Sequence, residues 1–225
     1  MHIEPGVVDG AKIALSFATA AGAAGLGLKM ALDTVRHDGG IGALVSRSVA
    51  TTVLVFCFFQ VLPHHPVGVS EVHLILGSTL FLMFGAGPAA IGLACGLLLQ
   101  GLLFAPFDLP QYGMNVTTLI VPLWGLSLLA RKIIPAKTPY VEVRYSQVLA
   151  LSAAYQGGIV AWVAFWAFYG QGFGAANLVS VGSFGMAYMA VLLVEPLVDL
   201  AVLAIAKASS GRSPILQNRL HHAAA

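Results

Sequence analysis

Seven stretches of this chain are apolar over most of their length, and no other feature limits so strongly what it can fold into. They lie near residues 11–32, 43–62, 73–86, 88–105, 113–131, 146–169 and 183–207. A helix needs about 20 apolar residues to cross the ~30 Å hydrocarbon core of a bilayer. Lipid cannot hydrogen-bond an exposed backbone, so segments at that depth must satisfy their own N–H and C=O groups as helices or closed barrels. The runs are too long and too continuous for the short alternating strands of a barrel. Charge agrees with this, since only 9% of the residues are Asp, Glu, Lys or Arg, against roughly a quarter in soluble domains. With a mean hydropathy of +0.88, the expected fold is an all-α integral membrane protein of about seven transmembrane helices. One transmembrane domain over 1–225 is expected, with no soluble domain, internal repeat or linker.

The third and fourth stretches are short and are split by Gly85-Ala86-Gly87-Pro88. Fourteen residues of helix reach only about 21 Å, so such a hairpin must end inside the bundle or at a polar cavity. Orientation follows from the basic residues, which favour the cytoplasmic side. Arg36 and Arg47 flank the first loop, Arg131, Lys132, Lys137 and Arg144 crowd the loop after span five, and Lys207, Arg212 and Arg219 follow span seven. Loops 63–72, 106–112 and 170–182 hold no Lys or Arg. The amino terminus is therefore expected outside and the carboxyl terminus in the cytoplasm, with 1–10 an extracytoplasmic segment and 208–225 a cytoplasmic tail. The first span follows an acidic segment instead of a basic one, so it is expected to stay as a span. Cys57 and Cys95 lie in apolar stretches and form no CxxC pair, so both are expected reduced, buried and inert. A net charge of +2 is too small to imply a nucleic-acid partner, and none is expected. Small residues along span one (Ala14, Ala18, Gly22, Gly25) and Gly92-x-x-x-Gly96 in span four point to close helix packing.

This topology collects histidines on one face. His2, His64, His65 and His73 fall outside, while His37, His221 and His222 fall inside. The opening Met1-His2 adds a chelating unit. Its α-amine, the deprotonated His2 amide and the His2 Nδ1 can close adjacent rings on one ion, and one further imidazole completes a square. His73, at the outer mouth of span three, is placed to supply it. A planar set of four nitrogens suits Ni(II) or Cu(II) and accepts Co(II), far better than it suits Mg(II), Ca(II) or tetrahedral Zn(II).

The residues that carry a family likeness are MHIEPG at 1–6, PVGVSEVHLILG at 66–77, FGAGPAAIGLACGLLLQGLLF at 84–104 and YGMNV at 112–116. Together they resemble the CbiM/NikM family, the substrate-binding (S) components of energy-coupling factor transporters for cobalt and nickel. The match lies in Met-His-Ile with an acidic residue and Gly6, in Gly-x-Ser-x-x-His-Leu, in the Gly-Pro break of the hairpin, and in Gly-x-Asn. The resemblance implies an importer subunit in the inner (plasma) membrane of a prokaryote. Its transported substrate would be Co(II) or Ni(II), with no organic cofactor. Its partners would be a transmembrane coupling (T) subunit and cytoplasmic ATPase (A) subunits. It implies metal ligands at Met1, His2 and His73, with Ser70 and Asn115 as a supporting shell. The chain departs from the pattern at Thr118, where the family repeats Asn, and at His64 and His65, which offer accessory capture ligands or are plain loop histidines.

Other polar residues lie within the spans. Glu195 and Asp199 stand one turn apart in the inner half of span seven, and Arg47 lies at a similar depth on span two. An intramembrane Arg47–Asp199 ion pair, or a contact to a partner subunit, is the expected use of such costly charges. Pro196 is expected to kink span seven. Met114, Met186 and Met189 lie towards the outside and could bind Cu(I), which keeps a copper-handling permease as an alternative. A metal-binding or metal-sensing membrane protein that does not transport is another. Ser183 has no histidine in the later spans to activate it, and no Walker motif occurs, so an enzyme is not expected and ATP hydrolysis belongs on other chains.

Overall fold

The computed structural model describes residues 2–208. Met1, Arg212, Arg219, His221, His222 and the tail beyond Ala208 lie outside the described residues. The helices are α1 (Ala14–His37), α2 (Gly40–Gln60), α3 (Gly77–Phe84), α4 (Ala86–Leu103), α5 (Tyr112–Ile133), α6 (Tyr145–Gln171) and α7 (Ala175–Ala208). A small antiparallel hairpin, β1 (His65–Val67) and β2 (Ser70–Val72), sits between α2 and α3. Tight 3-10 turns lead into α1 at Gly10–Ile13 and into α5 at Pro106–Gln111. Among the described residues six helices are long and apolar enough to cross a membrane. Apolar side chains on their outer faces are left bare, Val49 being 60% and Met186 76% exposed. Lipid is the solvent that fits such a surface. The chain is a multi-pass membrane protein.

The third span differs from expectation. Residues 73–76 are not helical, and α3 is only eight residues long. Leu76 adopts a left-handed backbone, φ 52°, which turns the chain from the hairpin into α3. Non-helical backbone at this depth must find acceptors, and Glu195 of α7 provides them, accepting the amides of both Ile75 and Leu76. The Gly-Pro break stands where expected. Gly85, with φ 95°, ends α3 and starts α4 in a conformation that side-chain-bearing residues avoid. Span seven also starts earlier than expected, at Ala175, so the outer loop 170–182 shrinks to a turn. Asn177 Nδ2 ties that turn by donating to the carbonyls of Ala167 (3.0 Å) and Gly172 (2.6 Å). α7 runs unbroken through Pro196.

The expected Arg47–Asp199 ion pair is not formed. Arg47 Nη1 lies 2.5 Å from Asp38 Oδ2 at the α1–α2 turn. Asp199 accepts the hydroxyls of Ser78 (2.6 Å) and Thr79 on α3. Glu195 likewise accepts Gln156 Nε2, whose Oε1 receives Tyr188 OH at 2.6 Å. The two carboxylates of α7 thus hold α3, and Glu195 lies against the non-helical stretch that follows His73, instead of away from that histidine. The cysteines differ as well, Cys57 being half-buried and Cys95 exposed on a helix face suited to lipid.

Arg131 Nη2 lies 3.5 Å from Asp33 near the end of α1. Lys12 Nζ donates to Gly170 O (2.6 Å) at the opposite end, beside the amino-terminal segment.

Gly92 and Gly96 let α4 lie directly on α2. A methyl group at Gly92 would meet Thr51, and one at Gly96 would fall 2.6 Å from Val55 Cγ1. Thr51 Oγ1 also donates across the seam to Pro88 O (2.7 Å). Gly125 on α5 has open space around it. Gly92→Ala is therefore expected to destabilise the fold by about 1–3 kcal/mol through overpacking, and Gly125→Ala to leave it unchanged or slightly firmer. Thermal unfolding in one detergent decides this, and equal midpoints for the two variants would contradict the close α2–α4 seam.

Candidate metal centre

The amino-terminal segment, expected as an extracytoplasmic, metal-binding stretch, is packed into the mouth of the bundle. Ile3 is fully buried, and His2, Val7 and Val8 nearly so. Short-range chemistry explains how polar backbone can enter. Ile3 pairs antiparallel with Ser70 of β2. Glu71 N donates to His2 O (2.8 Å) and Glu4 N to Val69 O (3.1 Å). Residues 2–4 thus extend the hairpin as a third short strand. Two side chains satisfy what the strand leaves over. Ser70 Oγ donates to His2 O (2.8 Å), and Asn115 Oδ1 accepts Ile3 N (2.9 Å). Ser70 and Asn115 therefore hold the two ends of one peptide unit, the one that joins His2 to Ile3. Thr118, one turn on, spends its hydroxyl on Met114 O (2.7 Å).

The side chains of His2 and His73 converge. His2 Nδ1–H and His73 Nε2–H both donate to one oxygen, Glu71 Oε2, each at 2.7 Å. The donor atoms of His2, Glu71 and His73 lie within 4.8 Å of one another. Phe59 closes one side, its ring 6.2 Å from His2 and 5.4 Å from His73. His64 stacks flat on His73, with centroids 4.9 Å apart and planes 6° from parallel. Its Nδ1 is 3.9 Å from Glu71 Oε2. Asp108 Oδ2 stands 3.8 Å from His2 Nδ1, and a small cavity bounded by Asp108, Tyr112 and Asn115 opens beside His2.

Electrostatics leave the imidazoles ready to bind a cation. Burial lowers the pKa of His2 and pushes that of His73 well down, in spite of the opposing pull of Glu71. Both are neutral at pH 7 and keep a lone pair. Burial alone would raise Glu71, but the hydrogen bonds from His2 and His73 outweigh it and hold the carboxyl far below the usual range. Glu4 is raised by burial and by the nearby Glu71 charge. His2 Nε2 and His73 Nδ1 are buried without a hydrogen-bond partner. Two neutral imidazoles and an ionised carboxylate make a donor set whose chemistry suits a divalent transition metal.

Of the residues singled out from the sequence, His2, His73, Ser70, Asn115 and His64 are brought together. His65 is exposed on β1 and stands outside the cluster. The methionine alternative is not supported, because Met114 is fully buried while Met186 and Met189 are exposed on α7. Sequence reasoning missed Glu71 and Asp108. An acidic residue two places before His73 in a short strand points to the same face as that histidine, so Glu71 carried a legible signal. Asp108 did not, since only the 3-10 turn before α5 carries it to His2.

The family profile described as CbiM, cobalt uptake substrate-specific transmembrane region, matches residues 2–212. No curated protein matches the chain. Two solved structures share its fold. One, described as a truncated transition metal transporter, superposes with a TM-score of 0.66 at 15% identity over 93% of this chain and 98% of its own. The other, described as a transition metal transporter, gives 0.65 at 17% identity over 93% and 94%.

Because the native site resists protonation, acid should loosen it. Below about pH 6.5 the unfolded chain takes up protons that buried His2 and His73 refuse, and below about pH 4.5 the same holds for Glu71, so local stability is full at neutral pH and lost as pH falls. The amides of Ile3, Glu4 and Glu71 should exchange faster at pH 5 than at pH 7.5 after correction for intrinsic rates. Flat protection across that range would contradict the burial of these imidazoles.

Proposed function

This chain belongs to the CbiM family of cobalt-uptake substrate-specific transmembrane regions, and from that premise we propose that it captures Co(II) or Ni(II) between His2 and His73 at the outer mouth of the bundle. The protein is a membrane component of cobalt or nickel transport, and it works with other subunits. The observation that carries the site is the meeting of His2 Nδ1 and His73 Nε2 at one point, 2.7 Å from the same oxygen. Nδ1 is the His2 nitrogen that a chelate through the amino-terminal amine and the His2 amide requires. His73 supplies the imidazole from elsewhere that completes a square.

Met1 lies outside the described residues, and its amine enters as third ligand through the family resemblance. The strand of residues 2–4 brings the chain start to this mouth, which supports that assignment. Metal binding displaces the imidazole N–H bonds to Glu71 and moves each proton to the other ring nitrogen, or to water. It also removes the amine and amide protons, so uptake is coupled to proton release. Ser70 and Asn115 hold the backbone that aims His2, and their role is positional. His64, stacked on His73 beside Glu71, is placed to receive an ion on its way in. The chain acts in the inner membrane of a prokaryote, with 1–10 facing out, beside a transmembrane coupling subunit and two ATPase subunits that supply the energy. The transmembrane domain of 1–225 is the substrate-binding subunit of that assembly, and ATP hydrolysis belongs to its partners.

His2→Ala and His73→Ala should each abolish stoichiometric binding of Ni(II) and Co(II), while His64→Ala weakens it modestly. A cleavable amino-terminal fusion should block loading, and its removal, restoring Met1, should bring loading back. Calorimetric titration and metal analysis of the purified full chain check both expectations. Wild-type affinity in the two histidine variants, or equal loading before and after cleavage, would sink this reading.

A further inference from the structure

The family likeness marks Ser70 and His73 and leaves position 71 open, yet Glu71 occupies the centre of the site. Its Oε2 is 2.7 Å from His2 Nδ1 and 2.7 Å from His73 Nε2. Two donors bound at right angles to one ion, with bonds of about 2.0 Å, stand about 2.8 Å apart. Once an ion replaces the two ring protons that now bridge these atoms, the same spacing is that of a donor at right angles to both imidazole nitrogens.

The order of the chelate decides where such a donor can sit. The amine, the His2 amide and Nδ1 must follow one another around the square, because each neighbouring pair closes a ring. His73 Nε2 takes the fourth corner, next to Nδ1. The other two corners each lie opposite one of the imidazoles, so no position in the plane is at right angles to both. Only the axis is.

We propose that Glu71 is the axial ligand of the transported ion and that it biases the site towards Co(II) over Ni(II). This rests on the ligand set proposed above. Planar Ni(II) keeps a filled orbital along the axis, which repels a fifth donor, whereas Co(II) has one electron fewer there and accepts five ligands. A four-nitrogen plane alone favours Ni(II), and the carboxylate reverses that bias. Charge supports the assignment. His2 is 2% and His73 1% exposed, so a divalent ion enters with little water around it and needs neutralising. The deprotonated His2 amide and Glu71 together supply two negative charges. His64 backs the carboxylate from outside, its Nδ1 3.9 Å from Oε2.

The test uses the full chain with its native amino terminus in lipid nanodiscs, titrated with Co(II) and Ni(II) chloride. Wild type should prefer Co(II), and any Ni(II) it binds should be paramagnetic. Glu71→Ala should lower Co(II) affinity at least about tenfold and Ni(II) affinity much less, and its Ni(II) complex should become diamagnetic. Glu71→Gln, which keeps an oxygen without the charge, should fall between and guards against a variant that fails to fold. An unchanged Co(II):Ni(II) ratio and unchanged Ni(II) spin state in both variants would overturn the proposal. So would equal loss of both ions in both variants, the mark of a carboxylate that only straps the imidazoles together. His73→Ala separates the two levels of inference. If it loses metal while Glu71→Ala leaves ratio and spin state unchanged, the axial ligand is wrong and the site stands; if it binds as wild type does, the site itself is wrong.

Discussion

Glu195 accepting the amides of Ile75 and Leu76 is the contact on which the arrangement of the site depends. A bundle in lipid can hold non-helical chain only where buried groups satisfy its backbone. Residues 73–76 are such chain, and they carry His73. The carboxylate of α7 allows this stretch to stay extended inside the protein, and Asp199 one turn further holds the helix that follows. Without those acceptors the cheapest structure for 73–86 is a longer helix, and His73 would leave its place beside His2. Two carboxylates buried at membrane depth are costly. Here that cost is offset by hydrogen bonds that a cationic partner could not have made to the backbone.

Above this floor the site is assembled from three pieces of chain that are far apart in sequence. The start of the chain supplies His2, the hairpin supplies Glu71 and His73, and α5 supplies Asn115. Backbone pairing of Ile3 with Ser70 sets the register between the first two, and Asn115 fixes the first to the bundle. Each bond is ordinary, worth about 1 kcal/mol net. Their value is geometric, since together they leave the His2 ring few places to go. A rigid donor set is what a binding protein needs if it is to hold an ion tightly without a large entropy loss on binding.

Much of this was legible from residues alone. Apolar runs set the helices because lipid leaves the backbone no alternative. Gly85 ended α3 because its backbone needs φ near 95°. Gly92 and Gly96 marked the α2–α4 seam because only a missing Cβ permits that approach. His2 and His73 stood out because imidazoles on one face of so apolar a chain have few other uses. Less legible was anything that depends on which buried group meets which. Arg47 and Asp199 looked like a pair by depth, but depth along a helix says nothing of rotation about it, and each found a nearer partner. The cysteines looked buried because apolar runs do not reveal which face meets lipid.

The sequence by itself therefore determined the solvent this protein lives in, the number and ends of most helices, the end of the bundle where histidines gather, and two histidines of the candidate site. These follow from local composition and from backbone demands that act within a few residues. Tertiary structure alone decided that 73–76 stays unwound, that the polar first residues are buried, and that Glu71 lies between the two imidazoles. Those outcomes depend on hydrogen-bond partners more than sixty residues away, such as Ser70 for His2 and Glu195 for Ile75. No pattern along the chain encodes which of several buried donors and acceptors will meet. That is settled only when the helices pack and every polar group left in a low-dielectric interior must find a partner.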